Sequence, residues 1–287
     1  MPEAATLNEA FVKAAHILRR AGIETPELDA RLLLCHVGGL SHETYIANAQ
    51  EALQPEAAAR LEQAIARRLR REPISRITGT REFYGRDFLL GPETLDPRSD
   101  TETLVEAALE SARAGGGRKR KLSLLDLGTG TGCILITLLA ELPHAHGLGT
   151  DVSESALALA ATNAERLGVA DRASFLAADW LDSLCGRFEF VLSNPPYIAT
   201  ADIAELAADV SAYDPRRALD GGPDGLEAYR RVAARIRNVL AEDGKLLVEI
   251  GARQSDEVAE IFATAGLEIA ESRHDLAGRP RVVVVSK

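Results

Sequence analysis

The sequence predicts an α/β protein in which helices cover both faces of a sheet, with a small helical domain before it. Two observations carry this prediction. From residue 121 onward, short apolar segments alternate with helical segments, a pattern typical of parallel strands joined by helices. Before residue 73, apolar residues recur at helical spacing instead. We therefore expect a helical domain over residues 1–73, a β-hairpin linker over 74–97 and an α/β domain over 98–287.

The N-terminal segment predicts three helices separated by glycine and proline. The first ends at Gly22, the second runs from Pro26 to the glycine pair at 38–39, and the third begins at Pro55 and enters a basic stretch at 67–71. Because cations are favoured near a helix C-terminus, a solvated face is the favoured interpretation of that stretch. Contact with RNA or an acidic partner is the alternative.

The next segments predict a link between the two domains. Residues 74–95 consist of short β-like pieces punctuated by glycine, which indicates a hairpin. A helix is expected from Asp100 to Ala114. The glycines and charges of residues 115–121 indicate a flexible surface loop.

The remaining elements follow from the alternation. Strands are expected at residues 122–127, 147–152, 173–177, 188–192 and 245–250, with a final pair of strands near Glu268 and at 282–285. Helices are expected at residues 133–141, 154–167, 225–240 and 254–265. Ligands of such sheets bind beyond the carboxyl ends of the strands. A glycine loop at Gly128 and a proline turn at Asn194 both fall at those ends.

Composition excludes several classes of protein. The 287 residues are 46% hydrophobic, without an apolar run of membrane-spanning length or an N-terminal signal-peptide pattern. The three cysteines are widely spaced in apolar sequence, which indicates buried, reduced thiols in the cytoplasm and neither disulfides nor a metal site. The net charge of −10 argues against a protein that wraps duplex nucleic acid.

The most informative motif is the turn Asn194-Pro195-Pro196-Tyr197, which follows an apolar strand. Proline contributes no N–H donor and holds the residue before it in an extended conformation. The turn therefore offers acceptors, the Asn194 side-chain oxygen and neighbouring carbonyls, beside an aromatic ring. A planar NH2 group has two donors for such acceptors and a flat face for such a ring. A simple strand terminator is the alternative.

A second motif joins the first strand of the α/β domain to its helix. It contains Gly128, Thr129, Gly130, Thr131 and Gly132. Glycines permit a tight turn and close approach of a ligand to the backbone. The next residue, a cysteine, stands where a dinucleotide fingerprint has its third glycine, so a nucleoside without a diphosphate is the better ligand.

Two further strand ends complete a candidate nucleoside site. Asp151 ends the second strand, where a carboxylate can accept both ribose hydroxyls; a helix-capping role is the alternative, because a helix follows. Asp179-Trp180 follows the third strand. The tryptophan ring could stack near an adenine, with Asp179 accepting a hydrogen bond from the exocyclic amine of that base. A core position is the alternative, because a lone tryptophan more often belongs to a core.

Together these motifs resemble the S-adenosylmethionine-dependent methyltransferases that modify planar nitrogens. Within that class the chain closely resembles the peptide chain release factor glutamine N5-methyltransferases, the HemK/PrmC family. The resemblance spans nearly the whole chain and departs from the usual family residues at Asp96, Ser99 and Asp214. Besides the two motifs it includes the segments 79–83, 97–102, 214–219, 221–226, 249–251 and 275–279.

The resemblance implies a fold, a reaction and partners. It implies a Rossmann-like class I methyltransferase sheet and methyl transfer from S-adenosylmethionine to the glutamine of a Gly-Gly-Gln motif in release factors. Asn194 and the Pro195 carbonyl would hold the amide nitrogen, and Tyr197 would hold the amide plane. The helical domain would recognise the release factor in the cytoplasm, with the enzyme a monomer that binds neither membrane nor nucleic acid.

Three other functions remain open from the residues alone. Nothing in the spacing distinguishes a glutamine from a base, so methylation of adenine N6 or guanine N2 in a nucleic acid is the nearest alternative. A nicotinamide-dependent oxidoreductase is disfavoured by the glycine spacing. A non-catalytic binding module would be expected to show a degraded Asn194 turn, and here the turn is intact.

Overall fold

The computed structural model describes residues 5–114, 120–182 and 184–287, which fall into two compact units. The first comprises the described residues up to Thr80 together with Ala208–Tyr213, and the second comprises Arg81–Ala207 and Asp214–Lys287. The domain limits expected at residues 73 and 97 stay a prediction. The loop expected at 115–121 lies outside the described residues except for its last two positions.

The first unit is built from helices, as the sequence predicts. In chain order these are α1 (Leu7–Arg20), α2 (Pro26–Gly38), α3 (His42–Ala47), α4 (Pro55–Leu69) and α5 (Ile74–Thr78). Thr6 and Glu9 form a capping box at the start of α1, and Gly39 ends α2 in the left-handed conformation. Leu18 and Leu33 are fully buried in the core shared by these helices.

Helix α5 corrects one expectation, because residues 74–78 are helical and not part of a hairpin. Pro73 precedes this single turn and Gly79 ends it in the left-handed conformation, with φ 74°. The turn is stabilised by burial of Ile77 in the helical core. The actual hairpin is shorter and pairs β1 (Thr80–Phe83) with β2 (Arg86–Leu89).

The basic stretch at the end of α4 has internal partners. Arg67 donates to both carboxylate oxygens of Glu72, with the Nε–Oε2 distance 2.9 Å. Arg68 donates to Asp29 at 2.7 Å. The guanidinium of Arg71 donates to the Ala21 carbonyl at 3.1 Å. The prediction of a merely solvated face is therefore wrong for Arg67 and Arg68, which are half-buried, whereas Arg71 is exposed.

A seven-stranded sheet forms the centre of the second unit. Its strands are β3 (Ser123–Leu127), β4 (His146–Asp151), β5 (Ala173–Ala177), β6 (Phe188–Ser193), β7 (Leu240–Glu249), β8 (Glu268–His274) and β9 (Pro280–Ser286). The order across the sheet is β5-β4-β3-β6-β7-β9-β8. The first five are parallel, and β9 runs antiparallel to both of its neighbours. The C-terminal pair is antiparallel because its connection is too short for a crossover.

Helices cover both faces of this sheet. The helices of the second unit are α6 (Glu102–Ala114), α7 (Cys133–Glu141), α8 (Glu154–Arg166), α10 (Glu227–Ala233) and α11 (Ser255–Thr264), while α9 (Ala208–Tyr213) belongs to the first unit. Side chains alternate along the strands, so Leu124 enters the core beneath α6 and α7 while Leu125 and Leu127 enter the core beneath α10 and α11. Burial on both faces explains the apolar runs at residues 190–192 of β6 and 282–285 of β9.

The helix expected over residues 225–240 is too long. Helix α10 ends at Ala233, and a short 3-10 turn, Ile236–Asn238, leads into β7. Leu240 already pairs with Phe188 of β6. The pairing of Leu240 with β6, which no local pattern encodes, therefore decides where the helix must end.

Three smaller observations concern thiols, metals and membranes. Cys133 is buried, whereas Cys35 is half-buried and Cys185 is exposed, so the expectation of buried thiols is wrong for Cys185, which lies in the loop before β6. Within the three described ranges, no cluster of His, Cys, Asp and Glu could hold a metal ion. Their helices also lack the combined length and apolarity needed to cross a bilayer.

Candidate active site

A cavity of about 320 Å³ lies in the second unit, beyond the carboxyl ends of the parallel strands. Four consecutive strand ends contribute to it, as the doubly wound topology requires. Ten of the predicted site residues line it: Gly128, Thr129, Gly130, Thr131, Asp151, Asp179, Trp180, Asn194, Pro195 and Pro196. The lining formed by the described residues omits two others, Gly132 and Tyr197.

The glycine loop between β3 and α7 requires glycine for its backbone conformation. Gly128, Gly130 and Gly132 have φ of 70°, 55° and 81°, where a side chain is strained. Gly132 is also crowded, because a Cβ there would lie 2.6 Å from Cδ1 of Ile136. Its role is thus to let the loop enter α7, while the two preceding glycines lie on the cavity.

The buried carboxylate of Asp126 is hydrogen-bonded to this glycine loop. Asp126 in β3 is fully buried and accepts a hydrogen bond from the Thr129 hydroxyl at 2.6 Å. Burial raises the pKa of Asp126 to about 7, and the Thr129 hydrogen bond opposes that shift. Asp126 therefore stabilises the loop without lining the cavity.

Asp151 lines the cavity and binds two backbone amides. Its Oδ2 accepts from the Gly130 N–H at 3.0 Å and its Oδ1 accepts from the Ser153 N–H at 2.9 Å. Ser153, and not Asp151, caps α8, because its hydroxyl accepts from the Ala156 N–H. The capping alternative for Asp151 is therefore wrong. Each oxygen keeps a lone pair, and acceptance of ribose hydroxyls stays a prediction.

Asp179 and Trp180 form the wall after β5. Asp179 Oδ2 lies 2.7 Å from Nη2 of Arg231 in α10, which also lines the cavity. Trp180 has a φ of 54°, unusual for a bulky residue, and its ring packs against the core beneath α10. The tryptophan is therefore both a core residue and a cavity residue, and its stacking on adenine stays a prediction.

The Asn194 turn places one amide at the cavity with a defined partner behind it. Nδ2 of Asn194 donates to Oγ1 of Thr101 at 3.0 Å. Thr101 lies at the end of the 3-10 turn Ser99–Thr101 that leads into α6, and it also lines the cavity. Since its nitrogen is engaged by Thr101, Asn194 has its oxygen available as an acceptor.

Tyr197 does not belong to the cavity lining that the described residues form. Its hydroxyl donates to Oε1 of Glu249 at 3.4 Å, and its ring packs against the core beneath α10. Its carbonyl accepts from Nε2 of Gln254 at 3.0 Å. Burial, followed by the Glu249 charge, raises the pKa of the Tyr197 hydroxyl. Contact of this ring with a substrate amide stays a prediction.

Glu249 and Thr101 are residues that the sequence reasoning did not assign to the site. Glu249 ends β7 and is only 1% exposed. Burial raises its pKa to about 7, while hydrogen bonds from Thr101 and Tyr197 and the charge of Arg281 oppose that shift. The available signal was an acidic residue directly after the apolar run 246–248, at the carboxyl end of the strand. Burial of an ionisable side chain costs free energy, so such a residue is a candidate for a functional site.

Two departures from the family pattern lie next to each other. Asp96 is 3% exposed, and its N–H lies 3.4 Å from Oδ1 of Asp214. Each carboxylate has an arginine partner: Arg81 lies 3.7 Å from Asp96, and Arg98 forms an ion pair with Asp214. Paired arginines make two neighbouring carboxylates tolerable at low exposure.

Comparison with known proteins defines the class of this fold and site. The "PrmC N-terminal domain" family model matches residues 9–79, and the "Methyltransferase small domain" model matches residues 101–222. A solved methyltransferase structure from Pyrococcus furiosus covers 71% of this chain and 90% of its own, with a TM-score of 0.51 at 15% identity. The fold and the site together are those of a Rossmann-like methyltransferase, and the chain is such an enzyme.

Close relatives identify the family. A release factor glutamine methyltransferase of Rhodospirillum rubrum is 46% identical, over 99% of this chain and 86% of the relative. One of Agrobacterium fabrum is 42% identical, over 97% of this chain and 96% of the relative. The chain belongs to the family of release factor glutamine methyltransferases. The predicted resemblance is confirmed, and the oxidoreductase and non-catalytic alternatives are wrong.

Proposed function

We propose that the enzyme transfers a methyl group from S-adenosylmethionine to the side-chain amide nitrogen, N5, of the glutamine in the Gly-Gly-Gln motif of release factors. Besides membership of the family, one observation of the site supports an amide nitrogen as the methyl acceptor. The Asn194 amide lies on the cavity with its nitrogen bound to Thr101, which leaves the oxygen as an acceptor. Such an acceptor suits an NH2 group.

The cavity residues fit S-adenosylmethionine as the cofactor. Glycines at 128 and 130 let a ligand approach the backbone. Asp151 has acceptor capacity for ribose hydroxyls, and Trp180 presents an apolar ring on the wall beyond it. When bound, the cofactor supplies a methyl group that its sulfonium already activates.

The residues of the turn would orient the amide. An amide nitrogen is a poor nucleophile because its lone pair is delocalised. The Asn194 side-chain oxygen and the Pro195 carbonyl would accept hydrogen bonds from the two N–H groups of the substrate amide. These bonds would orient the amide nitrogen and favour the positive charge that develops on it during transfer. Alignment at a distance of roughly 3–3.5 Å can supply a large part of the catalysis.

The partner and the location belong to the same proposal. The helical first unit would recognise the release factor, and the enzyme would act as a monomer on protein and not on nucleic acid. Release factors act during translation termination, so the site of action would be the cytoplasm. The charge of −10 supports a protein substrate over a nucleic acid.

A methylation assay with labelled S-adenosylmethionine tests the proposal. Purified release factor is compared with DNA, ribosomal RNA and a release factor whose Gly-Gly-Gln glutamine is replaced by glutamate. We expect label only on the intact release factor, and mass spectrometry should place it on that glutamine. Label confined to nucleic acid would contradict the proposal in favour of a base methyltransferase.

A further inference from the structure

The residue behind Asn194 lies on a single 3-10 turn. Thr101 ends the turn Ser99–Thr101, and its hydroxyl oxygen accepts from Nδ2 of Asn194 at 3.0 Å. A turn of three residues has too few internal hydrogen bonds to keep its conformation alone. The position of Thr101, and with it the direction of the Asn194 amide, therefore depends on the contacts that hold the turn.

Two ion pairs connect this turn to other segments of the second unit. Arg98, which directly precedes the turn, pairs with Asp214. Within the turn, Oδ2 of Asp100 lies 3.0 Å from Nη2 of Arg281 in β9. Because Asp100 directly precedes Thr101, the second ion pair acts on the residue next to the one that binds the catalytic amide.

Arg281 is itself held by the loop between β8 and β9. Its side chain is buried, and its Nη2 donates to Oδ2 of Asp275 at 3.1 Å. Oδ1 of Asp275 accepts from the backbone N–H groups of Ala277 and Arg279, at 2.9 and 3.0 Å. Nη2 carries two N–H groups, enough for one to each carboxylate. The loop thus fixes the guanidinium, and the guanidinium fixes Asp100.

We infer that Arg281 is a positioning residue, which through Asp100 holds Thr101 in place and so keeps the Asn194 oxygen directed to the cavity. The lining formed by the described residues includes neither Arg281 nor Asp100. A misplacement of about 1 Å can cost about a hundredfold in rate. The catalytic consequence of this inference rests on the proposed function, whereas the ion pairs do not.

Arg279 offers a matched control for a role that is only structural. It binds the same carboxylate as Arg281, with its Nε 3.2 Å from Oδ2 of Asp275. Its side chain is exposed, and Asp275 is the one ion-pair partner that it has within the described part of the chain. If Arg281 only stabilised the β8–β9 loop, loss of either arginine would change turnover alike.

The experiment measures kcat and KM for R281M, D100A, the double variant R281M/D100A and R279M. We expect R281M and D100A each to lose about tenfold or more in kcat, while the KM for S-adenosylmethionine changes less than about twofold. The double variant should lose no more than R281M, because the two residues act through one contact. R279M should keep the wild-type kcat.

D100A keeps the inference testable even if R281M does not fold, because the Asp100 side chain is only half-buried. A wild-type kcat in D100A would overturn the inference. An equal loss of kcat in R279M and R281M would overturn it as well, in favour of a structural role for the loop.

A second measurement is independent of turnover. The side-chain NH2 resonances of Asn194, assigned by their absence in N194A, are followed by NMR. Loss of the Thr101 hydrogen bond should shift them and speed their exchange with solvent in D100A and R281M, but not in R279M. These changes in an enzyme that methylates no release factor would refute the proposed function and support the inference. Unchanged resonances in D100A and R281M would overturn the inference.

Discussion

The proposed role of Asn194 depends on the different surroundings of its side-chain nitrogen and oxygen. The nitrogen donates to Thr101 at 3.0 Å, and the residue lines the cavity. The neighbouring Pro195 is buried and has no N–H. At this position the chain presents acceptors without a competing donor, which suits an incoming NH2 group.

The first prediction concerns Asn194→Ala. We expect turnover to fall by more than about a hundredfold, because the substrate amide loses an acceptor aimed at its developing charge. Binding of S-adenosylmethionine, measured by calorimetry, should weaken only modestly, since Asp151 and the glycine loop are unchanged. A loss of cofactor binding as large as the loss of turnover would count against the proposed role of Asn194.

At the scale of elements, the Asn194 turn is supported by the segment that precedes α10. The Gly221 N–H donates to the Ile198 carbonyl at 2.8 Å. The carbonyls of Tyr197 and Gly225 share Nε2 of Gln254, at 3.0 and 3.3 Å. A Cβ on Gly225 would lie 2.4 Å from the Tyr197 carbonyl oxygen, so the two segments pack backbone against backbone.

The second prediction compares Gly225→Ala with Gly278→Ala. Both glycines have a φ of 75°, but a Cβ on Gly278 would meet nothing within 4 Å. Backbone strain should cost each variant about 1–2 kcal/mol of unfolding free energy, and G225A should lose more because its Cβ would overlap the Tyr197 carbonyl oxygen. Only G225A should also lower kcat, because its side chain displaces the turn that holds Asn194. Equal kcat in the two variants would show that this packing does not position the turn.

Element boundaries show where sequence reasoning succeeds. The strand predicted at residues 173–177 and the helix predicted at 133–141 match β5 and α7, because clear local patterns bound them. The prediction of a hairpin from residue 74 is wrong, because residues 74–78 form a single helical turn that buries Ile77. The helix expected to reach residue 240 failed because Leu240 pairs with β6. In both cases, contacts distant in sequence decided the conformation.

At the scale of the whole molecule, the first unit offers apolar side chains to solvent. Leu28 and Leu32, one turn apart on α2, are 43% and 42% exposed. Val12 of α1 and Ile46 of α3 are 55% and 61% exposed. Large exposed apolar residues on a small helical unit are suited to protein recognition, and they agree with its proposed role toward the release factor.

The third prediction tests that role with the double variant L28S/L32S. We expect the KM for release factor to rise about tenfold or more, with kcat at saturation nearly unchanged. Binding of S-adenosylmethionine should also stay the same. The matched control is L276S, because Leu276 is fully exposed on the β8–β9 loop of the second unit. An unchanged KM in L28S/L32S would remove α2 from the recognition surface.

The sequence by itself determined which residues reach the site. Side chains that follow parallel strands emerge at one edge of the sheet, so local patterns were enough to place the glycine loop, Asp151, Asp179-Trp180 and Asn194 there. Only the tertiary structure decided how Asn194 is oriented. That orientation depends on Thr101, which accepts from the Asn194 nitrogen at 3.0 Å although it lies 93 residues away in the chain. No local pattern encodes such a contact.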